Sequence, residues 1–242
     1  MKKISLLLSL YQSGEWIENR LKNLIDATSN IDAEIICINA DSPDILDHDI
    51  PVRYLKIYNN IKYVKCETRI GIYDAWNEAI KISDSQYLAP ANTDDLSGPT
   101  LYTTLCGILD DNPNVGVSYT SWYTIGMKPN KWSDIDLSCR PDSPGEFHGN
   151  FDTGQVGHFP VWRKKIHDEI GYFDGLLTAL GDADFWSRVY FKTNYCFYWL
   201  RAPLAAYRWR DGQNAWSRFI STEQWLIFHN NIKNYKDASS RH

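Results

Sequence analysis

Several features are scarce in this 242-residue sequence, and each scarcity excludes a class of protein. No apolar run reaches transmembrane length. The run at residues 4–10 follows Met1-Lys2-Lys3 and resembles the core of a short signal peptide. It is too short to span a bilayer and has no small-residue cleavage site before charge returns at Glu15, so a buried first strand is the expectation. Positive charge is also in short supply: 25 Lys and Arg stand against 30 Asp and Glu, a net charge of −5. That balance argues against a nucleic-acid partner, because phosphate binding wants a basic surface. Cysteines are few and unpaired in pattern. Cys37, Cys66, Cys106, Cys139 and Cys196 are odd in number and have neither metal-ligand nor redox-motif spacing, which points to reduced thiols in a cytoplasmic compartment. There is no internal repeat. The polar residues 236–242 are expected to form a flexible tail. The lack of a capping element after Tyr235 is what a piece of a longer protein would show.

Aromatic residues, in contrast, are abundant: ten Trp and fifteen Tyr. They serve either as bulky core filler or as faces for stacking on sugars and bases. Hydrophobic residues at 43% and charged residues at 23% describe an ordinary globular chain. The first half alternates strand and helix signals. Continuous apolar runs at 4–9 and 34–38 read as parallel strands covered on both faces. Between them Ser13 can cap a helix in which Trp16, Ile17, Leu21, Leu24 and Ile25 recur at helical spacing. Residues 52–57 read as a third strand, 72–82 as an amphipathic helix and 86–89 as a short strand. The second half is less regular. It offers a helix at 99–111, a strand at 115–124, a long loop at 128–152 and a strand at 159–163 with a helical turn through His167. A helix at 182–191, a strand at 195–200 and a helix at 223–231 follow. Repeated strand–helix–strand units define an α/β fold with a mainly parallel central sheet flanked by helices. Ligands bind such sheets at the carboxyl ends of the strands. Three polar clusters fall there: Tyr11-Gln12, the stretch from Asn39 through Asp41 to Asp44, and Asn92-Thr93-Asp94-Asp95.

Two acidic constellations carry the chemistry. Asp94 and Asp95 are adjacent on a loop after a buried strand, so one can hold a divalent cation while the other reaches a ribose hydroxyl. Hard oxygen ligands suit magnesium or manganese. A solvated turn is the alternative. The second is Gly181-Asp182-Ala183-Asp184-Phe185-Trp186, where Asp182 follows a Gly at the start of a helix and Asp184 lies on another face. There the macrodipole favours a charged carboxylate, and a plain Asp N-cap is the alternative. His148, His158 and His167 match no familiar metal-ligand spacing and are read as acceptor-loop or structural residues. The segment Arg208-Trp209-Arg210-Asp211-Gly212-Gln213 is either a loop that closes over a diphosphate or a charged surface loop.

Taken together, residues 3 to 210 resemble the inverting family 2 glycosyltransferases of bacterial surface-polysaccharide type, which have the GT-A fold for nucleotide-diphospho-sugars. Ser9-Leu10-Tyr11-Gln12 stands where the family's first strand ends in an aromatic that packs on the donor base. The stretch Arg69-Ile70-Gly71-Ile72-Tyr73-Asp74-Ala75-Trp76-Asn77 looks like its Arg-Gly segment, with Arg69 as a donor contact. Asn92-Thr93-Asp94-Asp95 looks like its metal motif, which assigns Asp94 to the ribose and Asp95 to the cation and diphosphate. The region from His158 and Trp162 to Asp184 is similar to its acceptor side, where the Asp after Gly is the catalytic base, here Asp182. The resemblance thus implies a donor side of Tyr11, Asn39, Asp41, Arg69, Asn92, Asp94, Asp95 and Arg208, and an acceptor side of His158, Trp162 and Asp184. It further implies one catalytic domain at 1–235, with a nucleotide-sugar half at 1–97 and an acceptor half at 98–235. Its partners would be a nucleotide-sugar donor and a glycan or lipid-linked acceptor, reached from the cytoplasm with at most peripheral membrane association. Two departures stand out: Asn39-Ala40-Asp41 replaces the usual adjacent acids after the second strand, and Asn92 occupies the first acidic position of the metal motif. A nucleotidyltransferase and a catalytically silent carbohydrate-binding domain are the competing classes.

Overall fold

The computed structural model describes residues 1–149, 154–210 and 221–239. The chain runs β1 (Lys2–Leu10), α1 (Gly14–Ala27), β2 (Ala33–Asn39), α2 (Leu46–Leu55), β3 (Ile61–Lys65), α3 (Ile72–Ile82) and β4 (Ser85–Pro90). It continues through β5 (Leu96–Ser97), α4 (Leu101–Asp111), β6 (Val115–Ile125), β7 (Val161–Arg163), α5 (Ile166–Ile170), α6 (Gly181–Lys192), β8 (Cys196–Arg208) and α7 (Thr222–Asp237). One eight-stranded sheet joins all strands in the order β3-β2-β1-β4-β7-β6-β8-β5. The first four are parallel, β7 is antiparallel to both neighbours, and β6 and β8 run parallel to each other.

The apolar run of β1 is buried along most of its length because successive side chains face opposite layers. Leu6, Leu8 and Leu10 pack with Ile17, Leu21 and Leu24 of α1 and with Leu101 and Leu105 of α4. Leu7 faces the other way, toward Trp76, Ala79 and Ile80 of α3 and Phe185, Trp186 and Val189 of α6. No helix among the described residues is long and apolar enough to cross a membrane.

The structure corrects three local expectations. Residues 52–57 do not form the third strand; residues 46–55 are α2, and the strand is β3. Pro51 inside α2 lacks the N–H that would bond the carbonyl of Asp47, and the side-chain amide of Asn39 bonds that carbonyl instead at 3.2 Å. Ser13 stands at the N-cap position of α1, but its side chain makes no capping bond. Its hydroxyl donates to the Asp47 carboxylate at 2.5 Å, tying the start of α1 to α2. Residues 236 and 237 belong to α7, and 240–242 of the expected tail lie outside the described residues. So do the last residues of the 128–152 loop and residues 211–213 of the expected diphosphate loop.

Candidate active site

The strand ends gather as parallel strands require. The backbone N–H of Ala40 bonds the Leu10 carbonyl at 3.0 Å, and Gln12 N–H bonds the Ser42 hydroxyl at 2.9 Å. Gln12 and Asp41 both adopt left-handed backbone geometry (φ 51° and 57°), which turns the chain sharply at two adjacent strand ends. The Arg69 guanidinium lies 4.2 Å from the centre of the Tyr11 ring, so two residues expected on the donor side are in contact with each other. Asn39 is buried and its side chain is committed. It donates to the Asp47 carbonyl and to the Tyr63 hydroxyl, and it accepts from Ser42 N–H. These bonds tie it to the turn that presents Asp41.

The loop after β4 separates its two carboxylates. Asp95 is 2% exposed; Oδ2 accepts from the Asn92 amide at 3.1 Å and Oδ1 from the backbone N–H of Arg208 at 3.0 Å. Burial, and then the neighbouring Asp94 charge, raise its pKa well above the usual carboxylate range. Asp95 therefore points inward and braces the loop, while the expectation assigned it to the cation. Asp94 is part-exposed and pairs with Arg210 at 2.7 Å. Arg208 also departs from its expected role. Its side chain is buried and donates to three carbonyls, those of Asp94 (2.8 Å), Gly126 (2.6 Å) and Pro129 (2.7 Å), which ties the guanidinium to the loop's own backbone.

On the acceptor side, Asp182 occupies the first turn of α6. Its Oδ1 accepts from the Tyr73 hydroxyl at 3.0 Å and from Ala183 N–H at 2.9 Å. Burial raises its pKa, while the Tyr73 and Ala183 hydrogen bonds pull it back down. His158 is stacked flat on Tyr207 (3.9 Å, 6°) with Trp122 at its edge (4.9 Å). Burial lowers its pKa to about 4, so the ring is neutral near pH 7. Asn92, His158, Asp182, Tyr207, Trp76 and Trp186 all line one cavity of about 230 Å³, so the donor loop and the candidate base share a single space. A larger cavity, about 560 Å³, lies between α1, Tyr58 and residues 130–133 and contains none of the predicted site residues.

Two residues expected on the acceptor side are buried and hydrogen-bonded within the fold. Trp162 is fully buried and its indole N–H donates to His167 Nε2 at 2.9 Å. That bond makes Nε2 the acceptor, so the proton sits on Nδ1, 2.9 Å from the Gly171 carbonyl. Asp184 is 1% exposed and pairs with Arg188 at 2.8 Å, while Asn231 and Tyr235 of α7 donate to its other oxygen. Tyr73 and Tyr207 were not singled out from the sequence. Tyr73 lies within the Arg69–Asn77 segment, but nothing local shows that its hydroxyl meets a residue 109 positions away.

The fold is shared with solved GT-A glycosyltransferases. S. aureus TarS 1–349 in complex with UDP-GlcNAc matches with a TM-score of 0.77 at 17% identity, over 99% of this chain and 68% of that one. The mannosyltransferase PcManGT from Pyrobaculum calidifontis, in complex with GDP-Man and Mn2+, matches with a TM-score of 0.67 at 13% identity, over 89% and 59%. At the sequence level, the family described as Glycosyl transferase family 2 matches residues 5–178, and the chain belongs to that family of glycosyltransferases. Among curated relatives, "Uncharacterized glycosyltransferase YibD" of Escherichia coli (strain K12) is 29% identical over 121 residues, 50% of this chain and 34% of that protein. The poly(ribitol-phosphate) beta-glucosyltransferase of Bacillus spizizenii (strain ATCC 23059 / NRRL B-14472 / W23) is 34% identical over 98 residues, 40% of this chain and 15% of that protein. The matched stretches thus span about a third and about a sixth of those relatives.

Proposed function

We propose that this chain transfers a sugar from a nucleoside-diphosphate sugar to a hydroxyl group of a surface glycan or its lipid-linked precursor, with inversion at the anomeric carbon. The observation that carries this reading is the shared cavity, which sets Asn92 of the donor loop against Asp182. Asp182 takes the proton of the attacking hydroxyl as the new carbon–oxygen bond forms and the bond to the diphosphate breaks. Base and leaving group then lie on opposite sides of the sugar, which is what inversion requires. A positioned general base contributes about 10²–10⁴-fold in rate. Trp76, Trp186 and the His158–Tyr207 stack supply apolar walls against which sugar faces can lie and from which water is excluded. Tyr11 and Arg69 receive the base of the donor.

A divalent cation fits the donor loop in one mode only. The described residues hold no cluster of three or more acidic, His or Cys side chains. Magnesium and manganese need no such cage when they rest on one or two carboxylates and the substrate's own phosphates. Asp94 is the part-exposed carboxylate here, with the Asn92 side chain nearby on the same loop, and we assign the cation to Asp94. When bound, the cation would offset the charge of the departing diphosphate as a Lewis acid. Arg210 pairs with the same carboxylate.

The test is a thermal-shift panel of UDP, GDP, dTDP, CMP and nucleoside triphosphates, each with and without manganese. A ligand that binds only the folded chain raises Tm by mass action. A manganese-dependent rise with one nucleoside diphosphate is the expected result and identifies the donor class. A rise with triphosphates alone would favour nucleotidyl transfer, and no rise with any would favour a silent carbohydrate-binding domain.

A further inference from the structure

Tyr73 is a buried phenol with an unusual set of constraints. Its ring lies nearly parallel to Phe173 (6.0 Å, 18°) and edge-on to Trp76 (5.5 Å, 79°). Its hydroxyl reaches across the cleft wall to Oδ1 of Asp182, 3.0 Å away. The turn of α3 that carries it is clamped from two directions. Asn77 binds both backbone groups of Phe173, donating to the carbonyl at 2.9 Å and accepting from the N–H at 3.1 Å. On the other side, a Cβ at Gly181 would stand 2.6 Å from the Tyr73 ring, so the start of α6 sits directly on that ring because residue 181 has no side chain. A Cβ at Gly175 would fall 2.1 Å from an Asp74 carboxylate oxygen, a second close approach on the same helical turn.

These contacts fix where the phenol points, and its chemistry fixes the direction of the bond. Burial and the adjacent Asp182 charge push the Tyr73 pKa well above its ordinary value, so it remains a donor at every working pH. With Tyr73 and Ala183 both on Oδ1, the carboxylate is held in one rotation and Oδ2 is the oxygen left to accept a proton.

We propose that Tyr73 is the positioning residue of the base: by donating to Oδ1 of Asp182 it holds the carboxylate ionised and turned so that Oδ2 receives the acceptor's proton. This rests on the reading of Asp182 as base. In the step itself, the acceptor O–H proton passes to Oδ2, the acceptor oxygen bonds the anomeric carbon, and the diphosphate leaves with the electron pair of the broken bond. Tyr73 keeps its own proton throughout. The residue also gives the donor side a hold on the acceptor side, since α3 begins three residues after Arg69 and its first turn meets Asp182 through Tyr73.

The experiment compares wild type, Tyr73→Phe and Asp182→Asn. Phe keeps the ring stack and removes only the donated hydrogen bond. Carboxyl-carbon NMR reads the Asp182 titration, and the pH dependence of kcat/KM is followed by nucleoside diphosphate release from the nucleotide sugar whose diphosphate gave the thermal shift. Losing the hydrogen bond raises the carboxyl pKa, so Tyr73→Phe is expected to shift the titration and the acidic limb of kcat/KM upward together. The expected shift is about one pH unit, a tenfold change in the proton affinity, with the donor KM unchanged. Uniform 3-fluorotyrosine, whose phenol is more acidic and a stronger donor, is expected to move the Asp182 titration down, and it serves if Tyr73→Phe does not fold. An unmoved titration overturns the proposal, as does a moved titration with an unmoved acidic limb. A merely structural role would lower Tm and leave both pH readouts where they were. Asp182→Asn separates the two levels: wild-type turnover in that variant removes the base itself. Loss of turnover there, with a wild-type pH profile in Tyr73→Phe, removes only the role of Tyr73.

Discussion

Asp94 and Asp95 are neighbours in sequence and opposites in environment, and substitution is expected to separate them. Asp94→Ala should abolish the manganese-dependent part of the nucleotide thermal shift, and the free protein should still fold, because its carboxylate is part-exposed and Arg210 is its only ion-pair partner among the described residues. Asp95→Ala leaves the buried N–H of Arg208 without its acceptor. An orphaned buried donor costs about 1–3 kcal/mol, which urea denaturation of the free protein would register. A second prediction concerns acid. Burial holds both His158 and His167 at about 4, against 6.5 for an unhindered imidazole. Between those values the unfolded chain binds more protons than the folded one, so their stabilising contribution is complete above about pH 6.5 and is lost as pH falls toward 4. In His158→Phe, which keeps a ring against Tyr207, Tm should fall less steeply than wild type over that window. The sequence showed which residue types could act but not which way they face. Asp95 was legible as acidic and next to a strand. Its inward turn depends on Arg208, 113 residues away, and no local pattern carries that information.

At the scale of elements, α6 and α7 are joined through one carboxylate. Asp184 binds Arg188 on its own helix and Asn231 and Tyr235 on the next, and Arg188 goes on to the carbonyls of Ile170 and Tyr172. Removing one partner of a buried ion pair leaves the other uncompensated, at a cost of about 3–5 kcal/mol. Asp184→Ala is therefore expected to shift the urea midpoint sharply down, with donor-induced thermal shifts retained. The elements that the sequence placed correctly are those with a strong period. The helix at 72–82 is α3 to the residue, and the runs at 4–9 and 34–38 are β1 and β2 with small changes at their ends. The element that was misassigned is α2. Residues 52–57 suggested a strand, but residues 52–55 continue a helix that contains Pro51, and Asn39, on a neighbouring strand, bonds the carbonyl that Pro51 cannot serve. The true third strand, β3, has only one buried residue and offers little apolar signal to read. Likewise β8 runs to Arg208, well beyond the six residues its apolar pattern marked. Its register shifts opposite Ser121, where it passes through Pro203.

At the scale of the molecule, one sheet runs through both the expected nucleotide half and the expected acceptor half. β4 pairs with β7, and the two-residue β5 that follows the donor loop pairs with Ala205 and Ala206 of β8. We take residues 1–235 as one cooperative unit, and scanning calorimetry should show a single transition whose calorimetric and van't Hoff enthalpies agree. The hydrogen bond from Arg208 N–H to Asp95 has a consequence for the order of events during synthesis. The donor loop is translated early, yet the groups that hold it, Arg208 with its backbone N–H and its guanidinium, emerge more than a hundred residues later. A nascent chain halted before residue 208 carries Tyr11, Arg69, Asn92, Asp94 and Asp95 and still lacks the groups that brace the loop after β4. The loop after β4 is therefore expected to reach its final form only once β8 has paired with β5 and β6.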